Sequence, residues 1–249
     1  MINKNLLQGR RVFVTGGSRG LGRAICLECA GQGAHVAFSF LKDQQGAAET
    51  LSLLHHQGAE AMASQVSVLD LNAMEKTVAQ IEGQWGGIDI LINNAGISQV
   101  LPVALMDQED WDQVIHTNVK GVFLSIKAFL RGMIRRKQGA ILNIGSLAGM
   151  KVIESPVHYA ASKAALTGLT ASLAKEVGRY AIRVNCLAPG LLDGGVGGHL
   201  PEHRLKDFLK HVALKRRGTF EEVARFAAFM VSDFNSYMSG QTVLIDGGF

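Results

Sequence analysis

The chain has 249 residues, of which 47% are hydrophobic and 18% charged, and its formal net charge is +4. That length permits one large core or two small ones, and the composition is that of an ordinary globular protein rather than a disordered or fibrous one. No run of about 18 apolar residues is present, so no membrane-spanning helix is expected, and the basic excess is too mild and too scattered to point to nucleic acid. The start, "MINKNLLQGRRVFVTGG", lacks the apolar core and small-residue cleavage site of a signal peptide, so a cytoplasmic protein is expected.

Read in chain order, "RRVFVTGG" is a short apolar strand stopped by glycines, followed by a helical pattern from Leu21 to Ala30. "AHVAFSF" predicts a second strand, "QQGAAETLSLLHHQG" a helix ended by Gly58, and "EAMASQV" a third strand. "NAMEKTVAQIEGQWG" is helical and "IDILINNAG" is a fourth strand. One long helical region runs from about Glu109 to Arg136. Then come a fifth strand, "GAILNIGS", a helix from about Pro156 to Arg179, and a sixth strand, "IRVNCLAPG". After a glycine-rich segment and a helical stretch, "FEEVARFAAFMVSD" forms the last helix and "QTVLIDGG" a seventh strand. Val, Ile and Leu-rich strands alternating with helices predict a mainly parallel sheet buried on both faces. No linker divides the chain, so the reading is α/β, a single doubly wound Rossmann-type domain over 1–249. Ligands of such folds bind beyond the carboxyl ends of the strands, so the residues after each strand are the ones to inspect.

After the first strand, "TGGSRGLG" places Gly16, Gly20 and Gly22 between an apolar strand and a helix, with Ser18, Arg19 and Leu21 among them. Glycines there let backbone approach a pyrophosphate, and the helix start turns free N–H groups and a positive dipole end toward it. After the second strand, where an NAD site places an acid for the ribose hydroxyls, stand Ser39 and Lys42. A cationic pocket with Arg19 suits a 2′-phosphate and predicts NADPH/NADP; Asp43 is the acid that a one-residue change of strand end would bring closer. Ser67 and Val68 follow the third strand, Asn94, Ala95 and Gly96 the fourth, and Ser146 the fifth. Tyr159 and Lys163, four residues apart, share one helix face. Pro189, Gly190 and Leu192 end the sixth strand.

Taken together, "TGGSRGLG", "NNAG", Asn118, Ser146, "YAASK" and Pro189-Gly190 stand in the order and spacing of the short-chain dehydrogenase/reductase family, and the chain resembles that family over essentially its whole length, most of all its 3-oxoacyl-[acyl-carrier-protein] reductases. The resemblance implies that Tyr159 protonates a carbonyl oxygen as hydride arrives from NADPH, that Ser146 holds that oxygen, that Lys163 binds the nicotinamide ribose, and that Asn118 positions a water leading from Lys163 to solvent. It also implies a homotetramer. A phenol must be brought about 3 pKa units toward neutrality to exchange protons readily, which needs about 4 kcal/mol; an ammonium about 5 Å away at an effective dielectric near 20 supplies about 3 kcal/mol. Lys163 is therefore expected to lower the pKa of Tyr159.

Two positions depart from the family pattern. Ser67 stands where an Asp near the adenine is usual, with Asp70 close enough to compensate, and Gly194 stands about where a Thr contacts the nicotinamide carboxamide. Residues 191–217 fall where the family carries its substrate lid, with Leu205, Phe208, Leu209 and Val212 as one apolar helix face. The glycines of "GLLDGGVGGH" read as the hinge of that lid. His199, His203 and His211 lack a carboxylate set for a metal, and Cys26 and Cys29, at CxxC spacing, read as core thiols. Basic residues Arg135, Arg136, Lys137, Lys175 and Arg179 gather at two helix C-termini. The dipole alone favours cations there, and the resemblance offers them as the dock for an acidic acyl carrier. Two other readings stay open: a reductase of a free small ketone, steroid-like molecule or sugar, and a non-catalytic NADPH-binding subunit.

Overall fold

Val12, Phe13 and Val14 are fully buried, yet they face two different cores. Val12 and Val14 pack with Ile25, Phe38 and Ala227, whereas Phe13 packs with Met74, Phe129 and Leu166. Because side chains alternate along a strand, an unbroken apolar run is what a strand covered on both faces requires. The computed structural model describes residues 5–195 and 201–249. Its strands are β1 (Arg11–Thr15), β2 (His35–Phe40), β3 (Ala61–Gln65), β4 (Ile90–Asn93), β5 (Gly139–Ile144), β6 (Ile182–Pro189) and β7 (Thr242–Ile245). All pair in parallel, in the order β3-β2-β1-β4-β5-β6-β7. The sheet is thus wholly parallel, and β7 joins the sheet built by the first six.

Helices α1 (Gly20–Gly31), α2 (Gln44–His56) and α8 (Phe220–Val231) contribute to one core. Helices α3 (Leu71–Trp85), α5 (Gly121–Arg136) and α6 (Val157–Val177) contribute to the other. Phe13 and Phe129 meet at 4.7 Å between ring centroids, and full burial of each such side chain is worth about 1.5–3 kcal/mol. Acidic or hydroxyl N-caps start four helices: Asp43 for α2, Asp70 for α3, Asp107 for α4 (Gln108–Ile115) and Thr219 for α8. Each typically contributes about 1 kcal/mol. Cys26 and Cys29 are free, buried thiols of the first core, and burial pushes both well above the ordinary thiol pKa.

The helical region expected from Glu109 to Arg136 is two helices. Between α4 and α5 the backbone makes one π turn, His116–Lys120, with Asn118 in its middle. The apolar periodicity runs through this turn, so the sequence pattern does not reveal it. Strand order reverses around β1, whose neighbours are β2 and β4. The crevice beyond the carboxyl ends of β1 and β4 is where such sheets bind ligands.

Candidate active site

The loop from Thr15 to Gly22 is held in one shape by its own glycines. Gly16 and Gly20 have φ of +72° and +56°, which suits residues without a Cβ. A Cβ on Gly22 would lie 2.0 Å from the Gly16 carbonyl oxygen, and one on Gly17 2.6 Å from Phe38. Asn94 ties β4 to this loop: its side-chain amide donates to the carbonyls of Thr15 and Gly16 at 3.0 and 3.1 Å. Its backbone N–H and that of Ala95 donate to the Thr15 hydroxyl, both at 3.0 Å. Gly22→Ala is therefore expected to cost about 1–3 kcal/mol by overpacking and to lower the melting temperature. Gly31→Ala, with nothing within 4 Å of its Cβ position and no positive φ, should not lower it.

Side chains beyond the motif complete this cradle. Arg23 donates to the Ser18 carbonyl, to the Thr50 hydroxyl at 2.8 Å and to Gly46, bracing the loop against α2. Arg23 and Thr50 carried no motif that would have marked them. At the end of β2, Ser39 is buried and Lys42 is exposed, as is Arg19 at the start of α1. Asp43 is the N-cap of α2 and accepts from Gly46 N–H at 2.9 Å. Asp70 is likewise engaged, accepting from Ala73 N–H at 2.9 Å, while Ser67 accepts from Leu69 N–H at 3.1 Å. Asp70 thus caps α3 through one carboxylate oxygen. Val68 packs where a Cβ of Gly121 would fall, 2.6 Å from its Cγ2, just after the π turn.

Asn118, Ser146, Tyr159 and Lys163 converge beyond β4 and β5. Asn118 is buried; its Oδ1 accepts from Ile97 N–H at 2.8 Å, and its Nδ2 donates to the Ile97 carbonyl at 2.9 Å and the Ser162 hydroxyl at 3.0 Å. Ser162 donates to the Tyr159 carbonyl at 2.7 Å, so the π turn is tied to the turn of α6 that bears Tyr159. Gly96 opens onto both groups: its Cβ position lies 3.2 Å from Asn118 Oδ1 and 3.5 Å from Lys163 Nζ. Lys163 donates to the Ile144 carbonyl at 2.7 Å and stands 5.8 Å from the Tyr159 ring centroid. Ser146 leads a short turn, Leu147–Gly149, seated on α6 so closely that a Cβ on Gly149 would be 2.6 Å from the backbone at Lys163 and Ala164. Behind them, Asn93 donates to Asn143 and Asn143 to the Thr170 hydroxyl, both at 2.9 Å, locking β4, β5 and α6 together.

The electrostatics correct one expectation. Burial pushes the Tyr159 phenol above its ordinary value, against a smaller lowering by Ser146. Burial also pushes the Lys163 ammonium down to about 8, against a smaller upward pull from Cys186. Desolvation governs both groups, and Lys163 spends a donor on Ile144. At neutral pH the phenol keeps its proton.

Comparison with known proteins decides the family. The model for enoyl-(acyl carrier protein) reductases matches residues 16–249. The 3-oxoacyl-[acyl-carrier-protein] reductase FabG of Chlamydia trachomatis is 37% identical over 243 residues, 98% of each chain. That of Staphylococcus aureus is 34% identical over 96% of this chain and 97% of its own. A short-chain dehydrogenase from Burkholderia cenocepacia, solved in complex with NADP, has a TM-score of 0.91 at 33% identity, covering 98% of this chain and 99% of that one. One from Serratia marcescens has the same TM-score and coverage at 32% identity. The chain belongs to the short-chain dehydrogenase/reductase family.

This family member is a nicotinamide-dependent oxidoreductase, and its residues fit such a cofactor: beyond β1 a loop held by Gly16 and Gly20 at positive φ leads into the N-terminus of α1, where free N–H groups suit a phosphate, and Gly96 lies against Asn118 and Lys163. Gly190 must also stay small, since its Cβ would lie 2.8 Å from the Asp246 backbone. Leu192 pairs with Gly218 in a short parallel bridge. Beyond it, α7 (Glu202–His211) half-buries Leu205, Phe208 and Leu209, with Val212 buried at its end. Phe208 stacks on Phe249 at 4.8 Å, and Arg204 pairs with Glu154 of the segment after Ser146. Residues 196–200, including His199, lie outside the described residues. Among the described residues no group of three metal-ligating side chains occurs, and no helix is long and apolar enough to cross a membrane.

Of the five basic residues, Arg136 is spent within the fold. It pairs with Glu82 at 2.7 Å and donates to the Ile88 carbonyl, because its guanidinium packs under Gly87. Arg135 shares Glu82 at 3.3 Å but is largely exposed. Lys137, Lys175 and Arg179 are exposed, the last lying over the Tyr180 ring at 4.9 Å.

Proposed function

We propose that the protein reduces the 3-oxo group of an acyl chain carried on acyl carrier protein to a 3-hydroxy group, using NADPH. The observation that carries the reading is the convergence of Asn118, Ser146, Tyr159 and Lys163 beyond β4 and β5, with the Tyr159 phenol on the same helix face as the Lys163 ammonium. An enzyme that adds hydride to a carbonyl needs a proton donor at the oxygen, and Tyr159 is one at neutral pH. The FabG relatives of 34–37% identity support the 3-oxoacyl substrate.

In this reading NADPH, when bound, supplies the hydride. The residues that would hold it are Gly16, Ser18, Arg19, Gly20, Leu21, Gly22, Ser39, Lys42, Ser67, Val68, Asn94, Ala95, Gly96, Tyr159, Lys163, Pro189, Gly190 and Leu192. Ser146 donates a hydrogen bond to the substrate carbonyl oxygen and fixes it beside Tyr159. Tyr159 passes its proton to that oxygen as negative charge develops there. Lys163 stabilises the phenolate left behind, and Asn118 secures the turn through which a water returns the proton. The exposed Arg19 and Lys42, with Asp43 occupied as a helix cap, favour a 2′-phosphate and hence NADPH over NADH. Lys137, Lys175, Arg179 and the exposed part of Arg135 form the dock for the acidic carrier, and the segment 191–217 acts as the substrate lid. A homotetramer and a cytoplasmic location complete the reading; exposed Trp111 and Phe123 on α4 and α5 supply apolar surface for assembly.

The test is oxidation of NADPH or NADH with a panel of carrier-bound 3-oxoacyl chains, 3-oxoacyl and enoyl thioesters of a small thiol, and free ketones. NADPH with the carrier-bound 3-oxo chain should give the highest kcat/KM, and Lys137→Glu with Arg179→Glu should depress it several-fold more than for the small thioester. Equal use of NADH overturns the cofactor assignment. Faster turnover of free ketones or of enoyl thioesters overturns the substrate, and equal loss on both thioesters overturns the dock.

A further inference from the structure

Phe220 stands at the start of α8, far along the chain from the glycine loop, yet it faces that loop. Its ring Cζ lies 3.7 Å from the Cβ position of Gly20 and 2.9 Å from that of Gly194; its Cε2 lies 3.0 Å from the latter. The Cβ position of Gly195 is 3.7 Å from the same ring. One aromatic ring thus fills the gap between the start of α1 and the segment after β6.

The ring cannot easily withdraw. Thr219 and Glu222 form a reciprocal capping box, with the Thr219 hydroxyl accepting from Glu222 N–H at 3.2 Å and Glu222 accepting from Thr219 N–H at 2.9 Å. Arg216 grips Glu222 with two nitrogens at 2.8 and 2.6 Å. The facing backbone is pinned as well: Asp193 N–H donates to the Gly218 carbonyl and Gly218 N–H to the Leu191 carbonyl, both at 3.0 Å.

Gly194 has a different reason to be glycine from its neighbours. Gly20 and Gly195 have positive φ, which a side chain resists; Gly194 does not. Its backbone would accept any residue, and what excludes a side chain is the Phe220 ring. The two are a size-matched pair.

We infer that Phe220 is a positioning residue for the dinucleotide: its ring is the apolar wall against which the nicotinamide end is held, doing by shape what a side chain at position 194 would do by hydrogen bonding. The inference rests on the nicotinamide-cofactor reading of the glycine loop. It makes a prediction that a purely structural role would not, because the adenosine end, when bound, would be held by Ser39 and Lys42 at the end of β2 rather than by the ring.

The experiment measures dissociation constants of NADPH, by its fluorescence enhancement, and of 2′,5′-ADP, which lacks the nicotinamide end, by competition. Phe220→Ala should weaken NADPH about tenfold and leave 2′,5′-ADP unchanged. Gly194→Thr should weaken NADPH in the wild-type background and strengthen it in the Phe220→Ala background, where space for the side chain has been made. Equal weakening of both ligands, unchanged NADPH affinity, or the same effect of Gly194→Thr in both backgrounds overturns the inference. If Phe220→Ala does not fold, Phe220→Leu replaces it in the same comparison. Failure of the wild-type protein to bind NADPH overturns the cofactor reading itself, and this inference with it.

Discussion

Tyr159→Phe is expected to lower kcat by about 10²–10⁴-fold, the usual contribution of a positioned general acid, while leaving the melting temperature close to wild type. The ring stays, so packing on α6 is kept, and only the oxygen facing Ser146 is lost. The direction of the pKa shift adds a second signature. With the phenol pushed above its ordinary value by burial, reduction loses nothing to Tyr159 titration near neutrality. The reverse reaction, oxidation of the 3-hydroxy product, needs the phenolate as base. Its rate should therefore climb with pH across the neutral and mildly alkaline range, since each step upward enlarges a small ionised fraction. Tyr159→Phe should abolish that climb along with the rate. Near-normal turnover by this variant, measured as NADPH oxidation under saturating substrate, would sink the assignment of the acid. A pH-independent reverse rate would show that Tyr159 does not act as its base.

How much of this was legible without coordinates depends on the range of the interaction. The strands were legible because β1, β4, β5 and β6 are buried on both faces, so apolar residues dominate them even where Asn143, Arg183 and Asn185 interrupt the run. The residues after those strands were legible because parallel sheets bring carboxyl ends together. The π turn at Asn118 was not, since one extra residue per turn leaves the composition of a helix unchanged. Arg23 and Thr50 were missed because each looks like an ordinary helical residue until the Ser18 carbonyl is placed between them. Asp43 and Asp70 were ambiguous for a related reason. An acid just after a strand can serve a ligand or cap the next helix, and only the bonds to Gly46 and Ala73 distinguish the two. The pairing of Phe220 with Gly194 left no trace in either local pattern. The rise of the Tyr159 pKa follows from burial of the phenol, which the spacing of Tyr159 and Lys163 does not reveal.

The same desolvation makes Lys163 a group that the fold holds at a cost, and this sets the second large effect. Its pKa is pushed from the ordinary 10.5 to about 8 by burial, a difference worth about 3 kcal/mol between the charged and neutral forms. The sign follows from proton counting. Below about pH 8 the folded and unfolded chains both carry the proton, and the folded chain bears the whole cost. Between about 8 and 10.5 the unfolded chain still holds the proton while the folded chain has released it, so stability from this group rises with pH. Above 10.5 both are neutral and the slope vanishes. Lys163→Met removes the slope: relative to the variant, the wild-type protein should gain about 3 kcal/mol between pH 7 and 10.5, read by chemical denaturation at each pH. At pH 7 the variant should be no less stable than wild type, because relief of the buried charge offsets the roughly 1–3 kcal/mol lost at the unpartnered Ile144 carbonyl. Its turnover should nonetheless collapse, since the phenolate formed at Tyr159 loses its only buried cation among the described residues. In the wild-type protein reduction should fall as pH rises through about 8, when the ammonium discharges. A variant destabilised at pH 7 with parallel pH slopes would mean that Lys163 titrates in the folded protein as it does in the unfolded chain, and the case for a charge held at a desolvation cost would fail with it.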